Sequence, residues 1–118
     1  MNNLKKVTHV ADFQRLARRR VPKMFYEYVD SGSWTESTYH SNEADLQRLL
    51  FKQRVAVNLE QRSLQSTMLG QTVRMPVALA PTGLTGMQYA DGEILAAQAA
   101  KNFGVPFTLS TMSICSLE

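Results

Sequence analysis

Two short apolar runs with a helix pattern between them set the strongest limit on how this chain can fold. Residues 76–80 and 105–110 have the length and the apolar character of strands that are buried on both faces, as in a parallel sheet. Between them, Asp91 precedes a helical pattern that Gly104 closes. The pattern predicts one β-α-β unit with a right-handed crossover. Because two strands cannot complete a sheet, the unit needs further strands and helices.

The length and the single cysteine add further limits. The chain has 118 residues, which is one domain at most. A complete (β/α)8 barrel needs roughly 250 residues, so a barrel interpretation makes this chain a part of one. Cys115 is the only cysteine, which excludes an internal disulfide and, with the lack of an export signal, favours the cytoplasm. No apolar run reaches the roughly 18 residues of a membrane-spanning helix.

The first part of the chain carries helical signals. Thr8 is predicted to cap a first helix that ends before Pro22, because the residue before a proline is pushed out of helical geometry. Pro22 then suits the first turn of a second helix, which Gly32 is predicted to end. A capping box that begins at Ser33 predicts a third helix through about Leu49. The chain is therefore predicted to begin with a layer of helices.

After the helices, the pattern changes to that of strands. Residues 51–57 partly alternate between apolar and polar side chains, and residues 68–73 form a turn flanked by short strands. These features predict an antiparallel hairpin over residues 51–75. The predicted organisation is therefore a helical lead-in at 1–50, the hairpin, and the first β-α-β unit at 76–118.

A basic cluster lies near the start of the chain, whose formal net charge is +3 overall. Its members are Arg15, Arg18, Arg19, Arg20 and Lys23. Charge runs of this kind are usually solvated helix faces. The alternative is a non-catalytic module that binds nucleic acid or an anionic surface through the cluster. The cluster lacks the interleaved aromatic side chains and the zinc or helix-turn-helix spacing that would favour nucleic acid.

Three sequence segments carry a resemblance to a known family. They are PKMFYEYVDSG at residues 22–32, MPVALAPTGL at 75–84 and GVPFTLST at 104–111. Together they resemble the amino-terminal third of the FMN-dependent α-hydroxy-acid dehydrogenases and oxidases, which include glycolate oxidase, mandelate dehydrogenase and the respiratory L-lactate dehydrogenases. Within the family, residues 75–117 are most similar to the bacterial L-lactate dehydrogenases.

The resemblance implies an α/β fold: the amino-terminal portion of a (β/α)8 TIM barrel, preceded by helices and a hairpin. It also implies FMN as cofactor and a 2-hydroxy acid as substrate, with L-lactate oxidised to pyruvate by hydride transfer to flavin N5. The electron acceptor stays open among a quinone, a cytochrome and oxygen, and the full-length protein is expected to form a homo-oligomer. The implied location is the cytoplasm or the periphery of the inner membrane, and no nucleic-acid partner is expected.

By resemblance, five residues contact substrate or cofactor. Tyr28 would donate a hydrogen bond to the substrate carboxylate, although its spacing alone favours a core residue. Pro81, Thr82 and Gly83 would lie beside the isoalloxazine ring, and Ser110 would hydrogen-bond the flavin. Their ordinary interpretations are a strand-to-loop turn and a strand-end hydroxyl. A fragment of an unrelated phosphate-binding barrel remains an alternative, against which only Tyr28 argues.

The resemblance places no catalytic residue in this chain. The family's general-base histidine, substrate-binding arginines and flavin-contacting lysine lie farther along, so the chain alone is expected to be inactive and to hold FMN weakly. No His, Cys or carboxylate pair has metal-ligand spacing. Asp91 and Glu93 are interpreted as helix-start charges, Cys115 as a small buried residue, and Trp34 as packing on the helices. Gly83 favours a dehydrogenase, because family oxidases often have alanine there.

Overall fold

Helices form the first part of the molecule. The computed structural model describes residues 7–117, and the chain divides into two units, Met1–Gln53 and Arg54–Glu118. The first unit contains α1 (Val10–Arg20), α2 (Lys23–Asp30) and α3 (Ser37–Gln47). The second unit contains β1 (Ser66–Met68), β2 (Gln71–Val73), α4 (Thr85–Gln88) and α5 (Gly92–Phe103).

The capping position of helix α1 lies one residue later than predicted. His9, not Thr8, occupies the position before the helix. The Asp12 carboxylate accepts hydrogen bonds from the backbone N–H groups of Thr8 (2.8 Å) and His9 (3.2 Å). These bonds hold the pKa of the Asp12 carboxyl well below its usual range, and the bond from the Thr8 N–H has the largest effect. The predicted end is confirmed, because Val21 leaves the helical conformation ahead of Pro22.

Helix α2 ends without the glycine that was predicted to stop it. Its last residue is Asp30, and the following Ser31 has an extended backbone. Gly32 serves a different purpose, because a Cβ at this position would lie 2.9 Å from Cβ of Tyr39. The close approach of α3, rather than a left-handed turn, therefore explains a glycine here.

Helix α3 starts later than the predicted capping box. It begins at Ser37, because Glu36 adopts a left-handed backbone conformation with φ of 57°. The Glu36 carboxylate accepts a hydrogen bond from the Gly32 N–H at 2.9 Å, so it reaches backward to the preceding loop. The predicted box beginning at Ser33 is therefore wrong, and the helix ends at Gln47.

The hairpin is shorter than predicted. Strands β1 and β2 pair in antiparallel register, with Met68 opposite Gln71. The turn residues Leu69 and Gly70 both have positive φ, as two-residue hairpin turns require. The predicted turn is confirmed, whereas the predicted strand at 51–57 is wrong. A strand needs a pairing partner, and none of the described residues pairs with this segment.

The predicted parallel pairing is present in the second unit as a single bridge, although neither 76–80 nor 105–110 forms an extended strand among the described residues. The N–H of Leu79 donates to the carbonyl of Pro106 (2.9 Å), and the N–H of Thr108 donates to the carbonyl of Leu79 (3.1 Å). The bridge between Leu79 and Phe107 is parallel, and α5 lies between the two segments in sequence. Gly104 ends α5 with φ of 86°, as predicted.

Little apolar surface is buried in the described residues. Among residues 7–117, the buried apolar side chains are those of Val73 and Ala100, and most large apolar side chains are exposed. Burial this limited offsets little of the conformational entropy that folding removes. The apolar faces of the β-α-β unit therefore need further strands and helices to cover them, as the sequence pattern predicted. Of the described helices, none combines the length and apolar character needed to cross a membrane.

Candidate functional site

The loops that follow the two parallel segments meet at one place. We call residues 81–91 the first loop and residues 110–117 the second loop. The N–H of Leu84 donates to the carbonyl of Met112 at 2.9 Å, which joins the two loops. A Cβ built on Gly83 would lie 3.2 Å from Cβ of Met112 and 3.7 Å from Oγ of Ser110. The structure therefore brings together two of the four residues predicted to contact a cofactor.

Ser110 uses its hydroxyl to shape the second loop. Its Oγ accepts a hydrogen bond from the N–H of Met112 at 3.0 Å, and its carbonyl accepts one from the N–H of Ser113 at 3.1 Å. Ser110 therefore holds the loop that follows it, as expected for a hydroxyl at the end of a strand segment. A hydroxyl that accepts one hydrogen bond still has a proton to donate, so Ser110 keeps the capacity to bind a ligand acceptor.

Thr82 and Pro81 occupy the exposed start of the first loop. The Thr82 hydroxyl donates to the carbonyl of Ala80 at 3.4 Å, and the carbonyl of Thr82 accepts from Oγ1 of Thr85 at 3.1 Å. These bonds tie the end of the first parallel segment to the start of α4. The loop is thus held by its own short-range hydrogen bonds, with Gly83 at its bend.

The buried carboxylate of Glu93 connects the two loops, a role that the sequence analysis missed. Only 3% of this residue is exposed. Its Oε1 accepts hydrogen bonds from the N–H groups of Gly86 (3.0 Å) and Ile114 (3.1 Å), and its Oε2 accepts one from the Cys115 thiol (3.5 Å). The backbone bond from Ile114 is the main cause that holds the pKa of the Glu93 carboxyl below its ordinary value, against the effect of burial.

One sequence signal could have revealed this role. Glu93 shares a helix face with Ala97 and Ala100, at spacings of four and seven residues, and Ala100 is buried. An acidic residue on the buried, small-residue face of a helix needs hydrogen-bond donors. Asp91 occupies the position before α5, as predicted, although its side chain makes no capping hydrogen bond.

The depressed pKa of Glu93 gives a prediction about pH. The stabilisation from its ionised form is complete above the ordinary value of 4.5 and is lost as the pH falls through the lower folded-state pKa. The facing Cys115 thiol stays protonated in this range, because the ordinary pKa of a thiol already lies far above it and burial raises the pKa further. We expect an NMR titration of the Glu93 carboxyl carbon to show a midpoint below 4.5, with the amide signals of Gly86 and Ile114 moving together with it. A midpoint at or above the ordinary value would contradict the assignment.

The structure agrees with the predicted role of Cys115 but not with that of Trp34. Cys115 is half-buried, and burial followed by the adjacent Glu93 raises the pKa of its thiol, which agrees with a residue that is no nucleophile. Trp34 is fully exposed and has φ of 56°, so its predicted packing on the helices is wrong. It lies at a bend of the backbone between α2 and α3.

Tyr28 lies on α2 in the first unit. Its side chain is 66% exposed, and its hydroxyl has no hydrogen-bond partner among the described residues. The core interpretation that its spacing favoured therefore does not hold within this unit. A hydroxyl that is free to donate is what a carboxylate-binding tyrosine requires.

Ion pairs within the helices account for much of the basic cluster. Arg15 pairs with Asp12, and Nζ of Lys23 lies 3.4 Å from Oε1 of Glu27. The arginines at 18–20 form the last turn of α1, where cations favourably meet the helix dipole. These contacts favour a solvated helix face over the nucleic-acid or anionic-surface alternative, which stays a hypothesis.

The relationship to known proteins follows from the sequence match along most of the chain. The family model for FMN-dependent dehydrogenases matches residues 17–118. This chain belongs to the FMN-dependent dehydrogenase family. The family and the cofactor that the three sequence segments predicted are thereby confirmed.

Named relatives give the same result. An L-lactate dehydrogenase of Xanthobacter autotrophicus is 46% identical over 112 residues, which are 95% of this chain and 29% of the relative. The monotopic membrane protein (S)-mandelate dehydrogenase has a TM-score of 0.88 at 38% identity, over 95% of this chain and 30% of that one. A mandelate oxidase has a TM-score of 0.85 at 31% identity, over 93% and 33%. The chain thus spans about a third or less of these relatives.

The junction of the two loops has two features that contact with a flat cofactor ring requires. A flat ring needs backbone that approaches closely and a few placed polar groups. Gly83 has no side chain at the junction of the loops, and Ser110 has a hydroxyl proton to donate. In the described part of the chain, no group of three His, Cys, Asp or Glu side chains is arranged to hold a metal ion.

Proposed function

We propose that this chain is the amino-terminal portion of a (β/α)8 barrel enzyme that oxidises a 2-hydroxy acid, specifically L-lactate to pyruvate, with FMN. The observation that carries the proposal is the junction of Gly83 and Ser110 just beyond the parallel bridge of Leu79 and Phe107, in a member of this family. In such barrels the active site lies at the carboxyl ends of the strands. The 46% identity to an L-lactate dehydrogenase supports lactate as the substrate.

The two loops have a binding role in this proposal. FMN, when bound, supplies the hydride acceptor, and the protein orients it and tunes its charge. Pro81, Thr82 and Gly83 offer backbone to the ring, since Gly83 lacks a side chain that would hold the ring away. Ser110 donates a hydrogen bond to the flavin through its hydroxyl. Gly83 also supports a dehydrogenase over an oxidase.

Tyr28 binds the substrate in this proposal. Its exposed hydroxyl donates a hydrogen bond to the substrate carboxylate and thereby orients the α-carbon for hydride transfer. A phenol can do this without adding a charge to the site. Groups outside this chain supply the base that removes the hydroxyl proton.

The remaining parts of the proposal concern partners and location. A quinone or cytochrome accepts the electrons, and the full-length protein is a homo-oligomer. The match to a monotopic membrane protein supports a peripheral position on the inner membrane, with the cytoplasm as the alternative.

A chimera tests the proposed function. In it, this chain replaces the matching segment of the Xanthobacter autotrophicus L-lactate dehydrogenase. We expect the purified chimera to retain FMN and to oxidise L-lactate with an artificial electron acceptor, within about tenfold of the parent rate because the reacting groups are held in the same geometry. The 118-residue chain alone, assayed in parallel, is expected to show neither property. A folded chimera without FMN would refute the proposal.

A further inference from the structure

Glu93 is a buried charged group for which the proposed function has no use. It lies on α5, yet its carboxylate accepts hydrogen bonds from three groups of the two loops. Gly86 follows Gly83 by three residues in the first loop, and Ile114 follows Ser110 by four residues in the second. One side chain therefore connects both segments that carry the candidate flavin contacts.

We propose that Glu93 is a positioning residue, which sets the separation of the first and second loops and thereby the placement of Gly83 and Ser110 against the flavin. This inference rests on the proposed function. Glu93 itself acts through the backbone of Gly86 and Ile114.

The chemistry of the contact requires a carboxylate. A single oxygen, Oε1, accepts both backbone N–H groups, while Oε2 accepts the thiol proton of Cys115. Hydrogen bonds to an ionised acceptor are about twice as strong as neutral ones. A glutamine would offer a single neutral oxygen and would turn an N–H group toward one of the donors. The raised pKa of Cys115 keeps the thiol proton that this contact uses.

The two loops and α5 are closely packed around Gly86. A Cβ on Gly86 would lie 2.8 Å from Cβ of Ile114 and 3.2 Å from Oε2 of Glu93. The backbone of the first loop thus lies directly against the second loop and against the carboxylate. A change in the length or charge of the Glu93 side chain must therefore move at least one loop.

The test uses Glu93→Gln in the chimera, with Glu60→Gln as the matched control. Glu60 is an exposed glutamate of the same unit. We expect Glu93→Gln to lower the hydrogen-exchange protection of the Gly86 and Ile114 amides by about tenfold. We also expect it to raise the FMN dissociation constant by about tenfold and to lower kcat more than it changes KM, because a displacement of roughly 1 Å can cost 10²-fold. Glu60→Gln should leave the amide protection, the FMN dissociation constant and the kinetic constants unchanged.

A milder pair of variants covers the case in which Glu93→Gln does not fold. Cys115→Ala removes one donor, whereas Cys115→Ser keeps it. We expect Cys115→Ala to weaken FMN binding and to alter the flavin absorption bands, and Cys115→Ser to restore both. If the unmodified chimera binds FMN but neither Glu93→Gln nor Cys115→Ala changes amide protection or flavin affinity, the positioning role is refuted and the proposed function stands. If the unmodified chimera binds no FMN, the proposed function fails first.

Discussion

Tyr28→Phe in the chimera is expected to lower kcat/KM for L-lactate by about 10- to 100-fold, since a hydrogen bond to a charged group contributes about 1.5–3 kcal/mol and 1.4 kcal/mol is tenfold. The substitution removes only the hydroxyl and keeps the ring. The hydroxyl has no partner among the described residues, so its loss should leave stability unchanged. Steady-state kinetics and the thermal unfolding midpoint together measure the two effects.

Tyr39→Phe provides the control for this experiment. Tyr39 lies on α3 in the same unit, where its Cβ contacts the Gly32 position and its ring packs edge-on against His40. Removing its hydroxyl should leave the kinetics of lactate oxidation unchanged. Equal kinetic constants for Tyr28→Phe and Tyr39→Phe would exclude Tyr28 from carboxylate binding.

Gly92→Ala is expected to destabilise the chimera by about 1–3 kcal/mol through overpacking. A Cβ at this position would lie 2.8 Å from Cγ2 and 3.0 Å from the carbonyl oxygen of Thr85. Helix propensity alone predicts the opposite sign, because alanine is better than glycine in a helix by about 1 kcal/mol. The sign of the change in thermal midpoint therefore decides between close packing and propensity.

Thr85→Ser combined with Gly92→Ala separates the two parts of this clash. Serine lacks the Cγ2 methyl but keeps the hydroxyl that donates to the carbonyl of Thr82. We expect the double variant to regain part of the lost stability, since the contact with the backbone carbonyl remains. No loss of stability in Gly92→Ala would mean that α4 and the start of α5 are not packed as described.

Several features were predictable because their causes are local. The exit of Val21 from the helix follows from the steric demand of the next residue, Pro22, and the end of α5 follows from the left-handed backbone of Gly104. The meeting of Gly83 and Ser110 was predictable for a topological reason. Parallel strands have their carboxyl ends at the same edge, so the residues after them are neighbours.

The errors arise from contacts that the residue pattern of one segment does not reveal. The alternating pattern at 51–57 finds no pairing partner within residues 7–117, and pairing is a property of two segments. Glu36 reaches back to Gly32 instead of supporting a helix that starts at Ser33. A pattern within one segment cannot report which of several donors its side chains will find.

Side-chain periodicity and the rules for proline and glycine thus predict helices α1, α2, α3 and α5, the hairpin turn, and the edge at which the candidate flavin contacts meet. The burial of Glu93 and its bonds to Gly86 and Ile114 depend on how the folded chain brings segments up to 21 residues apart against one helix end. Hydrogen bonds and desolvation depend on which groups are close in space. A carboxylate that the sequence suggests is in solvent, such as that of Glu93, can therefore be buried and join two loops.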